Sequence, residues 1–326
     1  MVIYLKPGAD ADLVKKALIA RGQWVQQVEK GRNGEVLGFQ LASFSSAIPA
    51  AELERIEGVA RVGVPASEHP RVDAQGPRVS VSGTEVGGGA PPVLLSGPCA
   101  VESEERIHEI ARQLAPLGVS FLRGGAYKPR TSPYNFQGHG AEALRWLRRA
   151  ADAHGLKVVT EAMSEVDVPL VAEFADLLQI GSRNMQNFSL LKAAGRSGRP
   201  VLLKRAMSAT VEEWLLAGEY LLVHGAPGVI FCERGIRGFD GSTRNLLDLG
   251  AVALLSTVHR LPVVVDPSHA TGRRDLVLPL AKAALAAGAA GVMIETHDDP
   301  SQALSDGPQA LLPWQLRELA PFGEKR

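Results

Sequence analysis

The residues of this chain that could do chemistry fall in short polar strings, each placed just after a run of apolar residues. One group is a thiol, an imidazole and two carboxylates: Cys99 in Ser96-Gly-Pro-Cys99, His269 in Asp266-Pro-Ser-His269, Glu295 in Glu295-Thr-His297, and Asp306 ahead of Gly307. Thiolate, imidazole and carboxylate together form a donor set of mixed hardness, suited to a divalent transition metal such as Mn, Fe, Co or Zn. Asp266 and His297 stand in the same strings as alternative ligands, or as partners that orient the ligands. Taken singly, a buried Cys or His belongs to a core more often than to a metal, and Cys232, inside an apolar run, reads as core. The second group is cationic: Arg123, Lys128, Arg130, Arg183, Lys204, Arg205, Arg234 and Arg237. Any one of these could be a solvated loop residue paired with a nearby acid. Eight of them, from four separate strings, suit an anionic ligand with more than one phosphate or carboxylate, the Arg forks offering bidentate contacts.

For these strings to meet, the runs before them must be parallel strands with their C-terminal ends on one face. Such runs occur at Val93–Ser96, Phe121–Arg123, Lys157–Thr160, Leu177–Ile180, Val201–Lys204, Val229–Cys232, Val263–Val265 and Val292–Ile294. Nearly all lead through a turn into a helical pattern. In Glu105–Leu114, for example, Ile107, Ile110, Ala111 and Leu114 align on one face; Ala141–Ala153, Val211–Val223 and Leu246–His259 read similarly. Strands alternating with helices imply parallel pairing through crossovers. Eight units in about 235 residues fit an α/β fold of the (β/α)8 TIM-barrel type, with its active site at the C-terminal strand ends. A doubly wound open sheet is the competitor, but no Gly-x-Gly-x-x-Gly turn follows the first strand. Closure would make the first strand a neighbour of the eighth. Cys99, His269, Glu295 and Asp306 then come from adjacent staves, with Asp306-Gly307 opening the last helix.

Residues 1–70 read as a small ferredoxin-like α+β domain. Strand patterns at Met1–Lys6, Trp24–Lys30, Val36–Leu41 and Val59–Val64 alternate with helical ones at Ala11–Arg21 and Ala50–Ile56, in the order β-α-β-β-α-β. Residues 71–91, dense in Gly and Pro, read as a linker containing one capping strand at Arg78–Ser82, and residues 92–326 as the barrel. Among 326 residues, 35 Lys and Arg balance 35 Asp and Glu, and aromatics make up only 5%. That composition argues against nucleic acid as a partner, since a duplex binder needs surplus cations and a single-strand binder needs stacking platforms. No apolar run is long enough to cross a membrane, and the N-terminus lacks the layout of a signal peptide. Two cysteines cannot form a disulfide framework, so a reducing cytoplasm is expected.

The strand-end strings resemble those of the phosphoenolpyruvate-condensing synthases, and among them the type I-beta 3-deoxy-D-arabino-heptulosonate 7-phosphate (DAHP) synthase family. The resemblance rests on Gly97-Pro-Cys-Ala-Val-Glu-Ser103, Leu122-Arg-Gly-Gly-Ala-Tyr-Lys-Pro-Arg-Thr-Ser-Pro133, Gln179-Ile-Gly-Ser-Arg-Asn-Met-Gln-Asn-Phe188, Leu203-Lys-Arg205, Cys232-Glu-Arg-Gly-Ile-Arg237, Asp266-Pro-Ser-His-Ala-Thr-Gly272 and Ile294-Glu-Thr-His297. It implies a cytoplasmic enzyme of the shikimate pathway that joins phosphoenolpyruvate to erythrose 4-phosphate. Arg123, Lys128, Ser182, Arg183, Lys204 and Arg234 would hold phosphoenolpyruvate, while Arg130 and Thr131 would receive the phosphate of the aldose. Cys99, His269, Glu295 and Asp306 match the family's metal ligands, and Lys128 would act as a general acid. The synthases of 3-deoxy-D-manno-octulosonate 8-phosphate, which use arabinose 5-phosphate, share the barrel but typically carry Lys-Ala-Asn-Arg where this chain has Lys128-Pro-Arg-Thr131. A homotetramer, and an aromatic amino acid effector acting through residues 1–70, are further expectations from the resemblance. A non-catalytic sugar-phosphate sensor is the remaining alternative; it would need no metal beside its phosphate site.

Overall fold

A computed structural model describes residues 1–31, 33–128 and 132–319, and in it the eight apolar runs pair in parallel into a closed barrel. The chain divides into two units, Met1–Glu68 and His69–Arg326. In the first, β1 (Val2–Leu5), α1 (Ala11–Ile19), β2 (Val25–Lys30), β3 (Val36–Leu41), α2 (Ala50–Leu53) and β4 (Val59–Gly63) follow the expected order. The antiparallel sheet runs β2-β3-β1-β4, which is the ferredoxin-like arrangement. Ile3, Val14, Leu18, Phe39 and Leu53 form its core.

The second unit opens with α3 (Pro70–Gln75) and a hairpin of β5 (Arg78–Val81) and β6 (Thr84–Gly87). The stretch 71–91, expected to be a linker with one capping strand, is therefore folded into the barrel unit. The reason is a period-two pattern: Val79, Val81 and Val86 point from the hairpin into the floor of the barrel and pack on its interior side chains.

The barrel strands are β7 (Val93–Gly97), β8 (Phe121–Arg123), β9 (Lys157–Glu161), β10 (Leu177–Ile180), β11 (Val201–Lys204), β12 (Val229–Glu233), β13 (Val263–Val265) and β14 (Gly291–Glu295). Between them lie α4 (Glu104–Leu114), α5 (Ala141–Ala153), α6 (Val168–Phe174), α7 (Phe188–Arg196), α8 (Val211–Val223), α9 (Leu249–Ala253), and the pair α10 (Pro267–Thr271) and α11 (Arg274–Ala286). Strand β14 pairs with β7 and closes the ring. Alternate side chains divide between two cores. Leu95, Phe121, Val159, Leu177, Leu202, Ile230, Val264 and Met293 fill the interior, while Leu94, Leu122, Val158, Leu178, Leu203, Phe231, Val265 and Ile294 face the helices. Caps set several helix starts: Ser103 accepts from Arg106 N, and Thr210 and Glu213 form a capping box.

Two expected helices differ. The Leu246–His259 pattern starts only at Leu249, where the Asp248 side chain caps Ala251 N, and it widens into a π-helical stretch over Leu254–Val258. After β14 the described residues form only 3-10 turns, at Gly307–Gln309 and Pro313–Leu319, where a last helix was expected. Pro308 and Pro313 sit at the starts of these turns, and Asp306 has left-handed backbone (φ 53°). Val81, fully buried at the floor, makes the plug testable. Val81→Asp is expected to lower the unfolding free energy by about 3–5 kcal/mol, an uncompensated buried charge, as read by chemical denaturation.

Candidate active site

Strand pleating delivers the polar residues to the barrel mouth. Two residues beyond an interior apolar side chain, each strand turns inward again: Phe121 is followed by Arg123, Val159 by Glu161, Leu177 by Gln179, Leu202 by Lys204, and Met293 by Glu295. A cavity of about 390 Å³ opens above the apolar layer, lined by those residues except Glu295 and by Lys128, Asn135, Gly181, Ser182, Arg183, Met207, Arg234, Arg244, His269 and Asp306. Six cations face two carboxylates, Glu161 and Asp306, so the cavity is built for an anion. Burial lowers the pKa of Arg234 despite the anions nearby, a sign of positive charge left incompletely compensated. Glycine makes the room at two points. Gly97, at φ 148°, lies where a Cβ would come 2.1 Å from the Arg123 carbonyl, and at Gly181 a Cβ would meet Glu161 Oε1 at 2.1 Å.

Beside the cations, Cys99, His269, Glu295 and Asp306 converge, with one candidate ligand atom from each lying within 4.8 Å of all the others. The Cys99 loop is zipped to the Gly125 loop by an Ala100–Gly125 bridge, which brings Lys128 Nζ to 2.8 Å from Cys99 Sγ and 2.9 Å from its carbonyl. Cys99 Sγ donates to Asp306 Oδ2 at 3.0 Å. His269 stands at the start of α10, where the Asp266 carboxylate caps the helix through His269 N and takes Nδ1–H at 2.8 Å. That bond turns Nε2 toward Glu295 Oε2, 3.3 Å away, with its lone pair inward. Burial, reinforced by Lys204, lowers the His269 pKa to about 4, so the imidazole is neutral and ready to ligate. Glu295 Oε2 accepts from Gln309 at 3.0 Å, whereas Oε1 is buried with no hydrogen-bond partner among the described residues. Burial raises the Glu295 pKa to about 7, and burial followed by the Glu295 charge raises that of Cys99. A buried carboxylate with an orphaned oxygen, a thiol and a neutral imidazole fit a divalent transition cation.

The candidates from sequence sort clearly. Arg123, Lys128, Ser182, Arg183, Lys204 and Arg234 all line the cavity. Arg205 does not: it is buried against Glu233 at 3.1 Å, Asp248 at 2.9 Å and the Ala209 carbonyl, and so braces the outer loops. Arg237 is exposed away from the cavity, while Arg130 and Thr131 lie outside the described residues. Asp266 and His297, alternatives as ligands, are not in the four-residue set. The Asp266 carboxylate is committed to His269 and to Lys204 at 2.5 Å, and although burial alone would raise its pKa these partners hold it well below the usual range. His297 bonds Glu102 instead. Cys232 is core: burial pushes its thiol up to about 12. Sequence reading missed Arg244, 3.6 Å from Asp306 Oδ1, because it lies eleven residues past the end of β12 in a loop with no periodic pattern. Sequence reading gives no role to Glu161 or Gln179, which line the cavity and are bonded at 3.1 Å.

Residues 71–326 match the model of the DAHP synthetase I family. The phospho-2-dehydro-3-deoxyheptonate aldolase of Thermotoga maritima is 45% identical over 319 residues, 95% of this chain and 93% of that protein. A crystal structure of the phospho-2-dehydro-3-deoxyheptonate aldolase (DAHP synthase) of the same organism aligns with a TM-score of 0.75 at 42% identity, covering 98% of this chain and 94% of the other. The 2-dehydro-3-deoxyphosphooctonate aldolase of Methylobacillus flagellatus is 33% identical over 267 residues, 74% of this chain and 91% of its own.

The protonation states fix how the ligand set responds to pH. A cation must displace the thiol proton of Cys99 and, below pH 7, that of Glu295 as well, whereas His269 releases none. Mn²⁺ affinity of the metal-stripped protein is thus expected to rise with pH, about tenfold per unit above pH 7 and more steeply below it. Cys99→Ala should weaken binding and flatten that slope by about one proton; competition titrations against a chelating dye measure both.

Proposed function

This chain belongs to the DAHP synthetase I family, and from that premise we propose how its barrel mouth joins phosphoenolpyruvate, erythrose 4-phosphate and water to give DAHP and phosphate. The observation that carries the reading is the cationic cavity running directly into the Cys99–His269–Glu295–Asp306 cluster. Arg123, Lys128, Arg183, Lys204 and Arg234, with Ser182, hold the carboxylate and phosphate of phosphoenolpyruvate. The carboxylate of Asp266 locks Lys204 from behind. Arg130 and Thr131 take the phosphate of erythrose 4-phosphate. Two highly charged molecules repel one another in solution, and these cations offset that repulsion while orienting the reacting carbons.

A divalent cation held by Cys99, His269, Glu295 and Asp306 would supply Lewis acidity to the aldehyde oxygen. Carbon 3 of phosphoenolpyruvate attacks the aldehyde carbon, and Lys128, through Nζ, gives a proton to the oxygen that becomes the new hydroxyl. Water adds at carbon 2, and the hemiketal phosphate collapses with C–O cleavage, releasing inorganic phosphate. The buried Arg and Lys side chains hold both anions in place throughout, at no cost of reorganisation when the charge moves.

Residues 1–68 act as a sensor of an aromatic amino acid, and the chain works as a homotetramer in the cytoplasm, where a free thiol at Cys99 stays reduced. These readings rest on the family resemblance. Among the described residues no helix is long and apolar enough to cross a membrane. A 2-dehydro-3-deoxyphosphooctonate aldolase shares a third of its residues with this chain, and the aldose decides between the two activities.

Phosphate release is expected only with both substrates and a divalent cation present, and with kcat/KM about 100-fold lower for arabinose 5-phosphate than for erythrose 4-phosphate. Release that is independent of the aldose, or equal for the two sugars, overturns the assignment. Lys128→Met should reduce kcat by about 10²–10⁴ and also raise the KM for phosphoenolpyruvate, since the same ammonium serves as acid and as anion contact. Removal of residues 1–68 should leave condensation intact and abolish inhibition by Phe or Tyr, seen in the same assay.

A further inference from the structure

Cys99 and Asp306 stand on the loops after β7 and β14, and neither residue lies within a regular helix or strand. Asp306 keeps a left-handed φ of 53°, uncommon for a non-glycine residue although Asp tolerates it better than most. Besides the direct contact between Cys99 and Asp306, the two loops are joined by Glu102, three residues past Cys99 and 5% exposed in its side chain. Its Oε1 accepts from Leu304 N at 2.7 Å, two residues before Asp306. Its Oε2 accepts from Arg106 Nη1 at 2.9 Å and lies 3.3 Å from His297 Nε2.

His297 extends the brace. The backbone N–H of Asp299 donates to His297 Nδ1 at 3.0 Å, which makes Nδ1 the acceptor and leaves Nε2–H to face Glu102. The Asp298 carboxylate, 3.4 Å from Arg106 Nε, adds an ion pair to the far side of that guanidinium. Burial alone would raise the pKa of Glu102, yet His297, the Leu304 N–H and Arg106 hold it below the usual carboxylate range, so the brace is anionic. None of these contacts comes from the cavity lining, and the hydrogen bonds of the Glu102 side chain among the described residues go to Arg106, His297 and Leu304.

We propose that Glu102, oriented by His297 and Arg106, is a positioning residue that holds the Cys99 and Asp306 loops at the separation a metal ion requires. The inference rests on the metal reading of the cluster given above. With Glu102 in place, Sγ of Cys99 and Oδ2 of Asp306 stand 3.0 Å apart before any ion arrives, so binding need not pay to order the β14 loop. Glu102→Ala frees Leu304 N and unpairs a nearly buried His297, and the loop that carries Asp306 loses its tether.

The test is Mn²⁺ affinity of the full metal-stripped chain, from free Mn²⁺ measured by electron paramagnetic resonance, in the wild type, Glu102→Gln, Glu102→Ala and His269→Ala. The expected result is a dissociation constant about 10–100-fold weaker in Glu102→Ala, intermediate in Glu102→Gln, with kcat recovered at saturating Mn²⁺. A lowered Tm with wild-type Mn²⁺ affinity in both variants means a merely structural role and overturns the proposal. Where Glu102→Ala does not fold, Glu102→Gln and His297→Gln decide on the same criterion. Wild-type protein that binds Mn²⁺ no better than His269→Ala would overturn the metal reading itself, an outcome distinct from tight binding in wild type and variants alike.

Discussion

In a closed ring of eight short parallel strands, side chains alternate strictly between the interior and the helices, and everything at the mouth of this barrel inherits that alternation. An inward position filled by Leu, Val, Phe or Met at one level is an inward position again two residues later, where the strand ends and water can reach. Arg123, Glu161, Gln179, Lys204 and Glu295 all occupy that second level. The apolar layer and the polar layer are thus one pattern read at two heights. A shift of one residue in any strand would turn its charged end outward among the helices and expose its apolar neighbour to the cavity.

Burying so much charge is tolerable because the ions are shared. Asp266 serves Lys204 and His269 at once, and through them it supports both the anion cavity and the ligand cluster. Breaking one partner of such a buried set leaves its companion uncompensated, which costs far more than the pair contributes when complete. Glu295 is the counterpart: Arg123 at 3.7 Å and Gln309 serve one oxygen only, and the other has no hydrogen-bond partner among the described residues. The cationic walls and the incompletely satisfied carboxylate are adjacent, so charge balance at the mouth is completed by what binds there.

Much of this was legible in the residues. Eight apolar runs at near-regular spacing pointed to the barrel, and strings such as Asp266-Pro-Ser-His269 carried their chemistry at the strand ends, where local order and function coincide. What escaped reading had no local signature. Arg205 shares its string with Lys204, yet adjacent residues on a strand point opposite ways, so one lines the cavity and the other braces Glu233 and Asp248. Arg244 reaches the site from an irregular loop whose path depends on distant contacts, among them its N–H to the Thr271 carbonyl. The hairpin at Arg78–Gly87 looked like punctuation because its glycines and short length hid three valines whose only significance is what they cover.

That covering hairpin has a kinetic consequence. With Val79, Val81 and Val86 packed into the far end, the barrel is a blind well, and every molecule that enters or leaves must use the same opening. A ligand seated deep in the well passes the rim positions both on its way in and on its way out. Traffic through the site is thus set by which end of the barrel is stoppered.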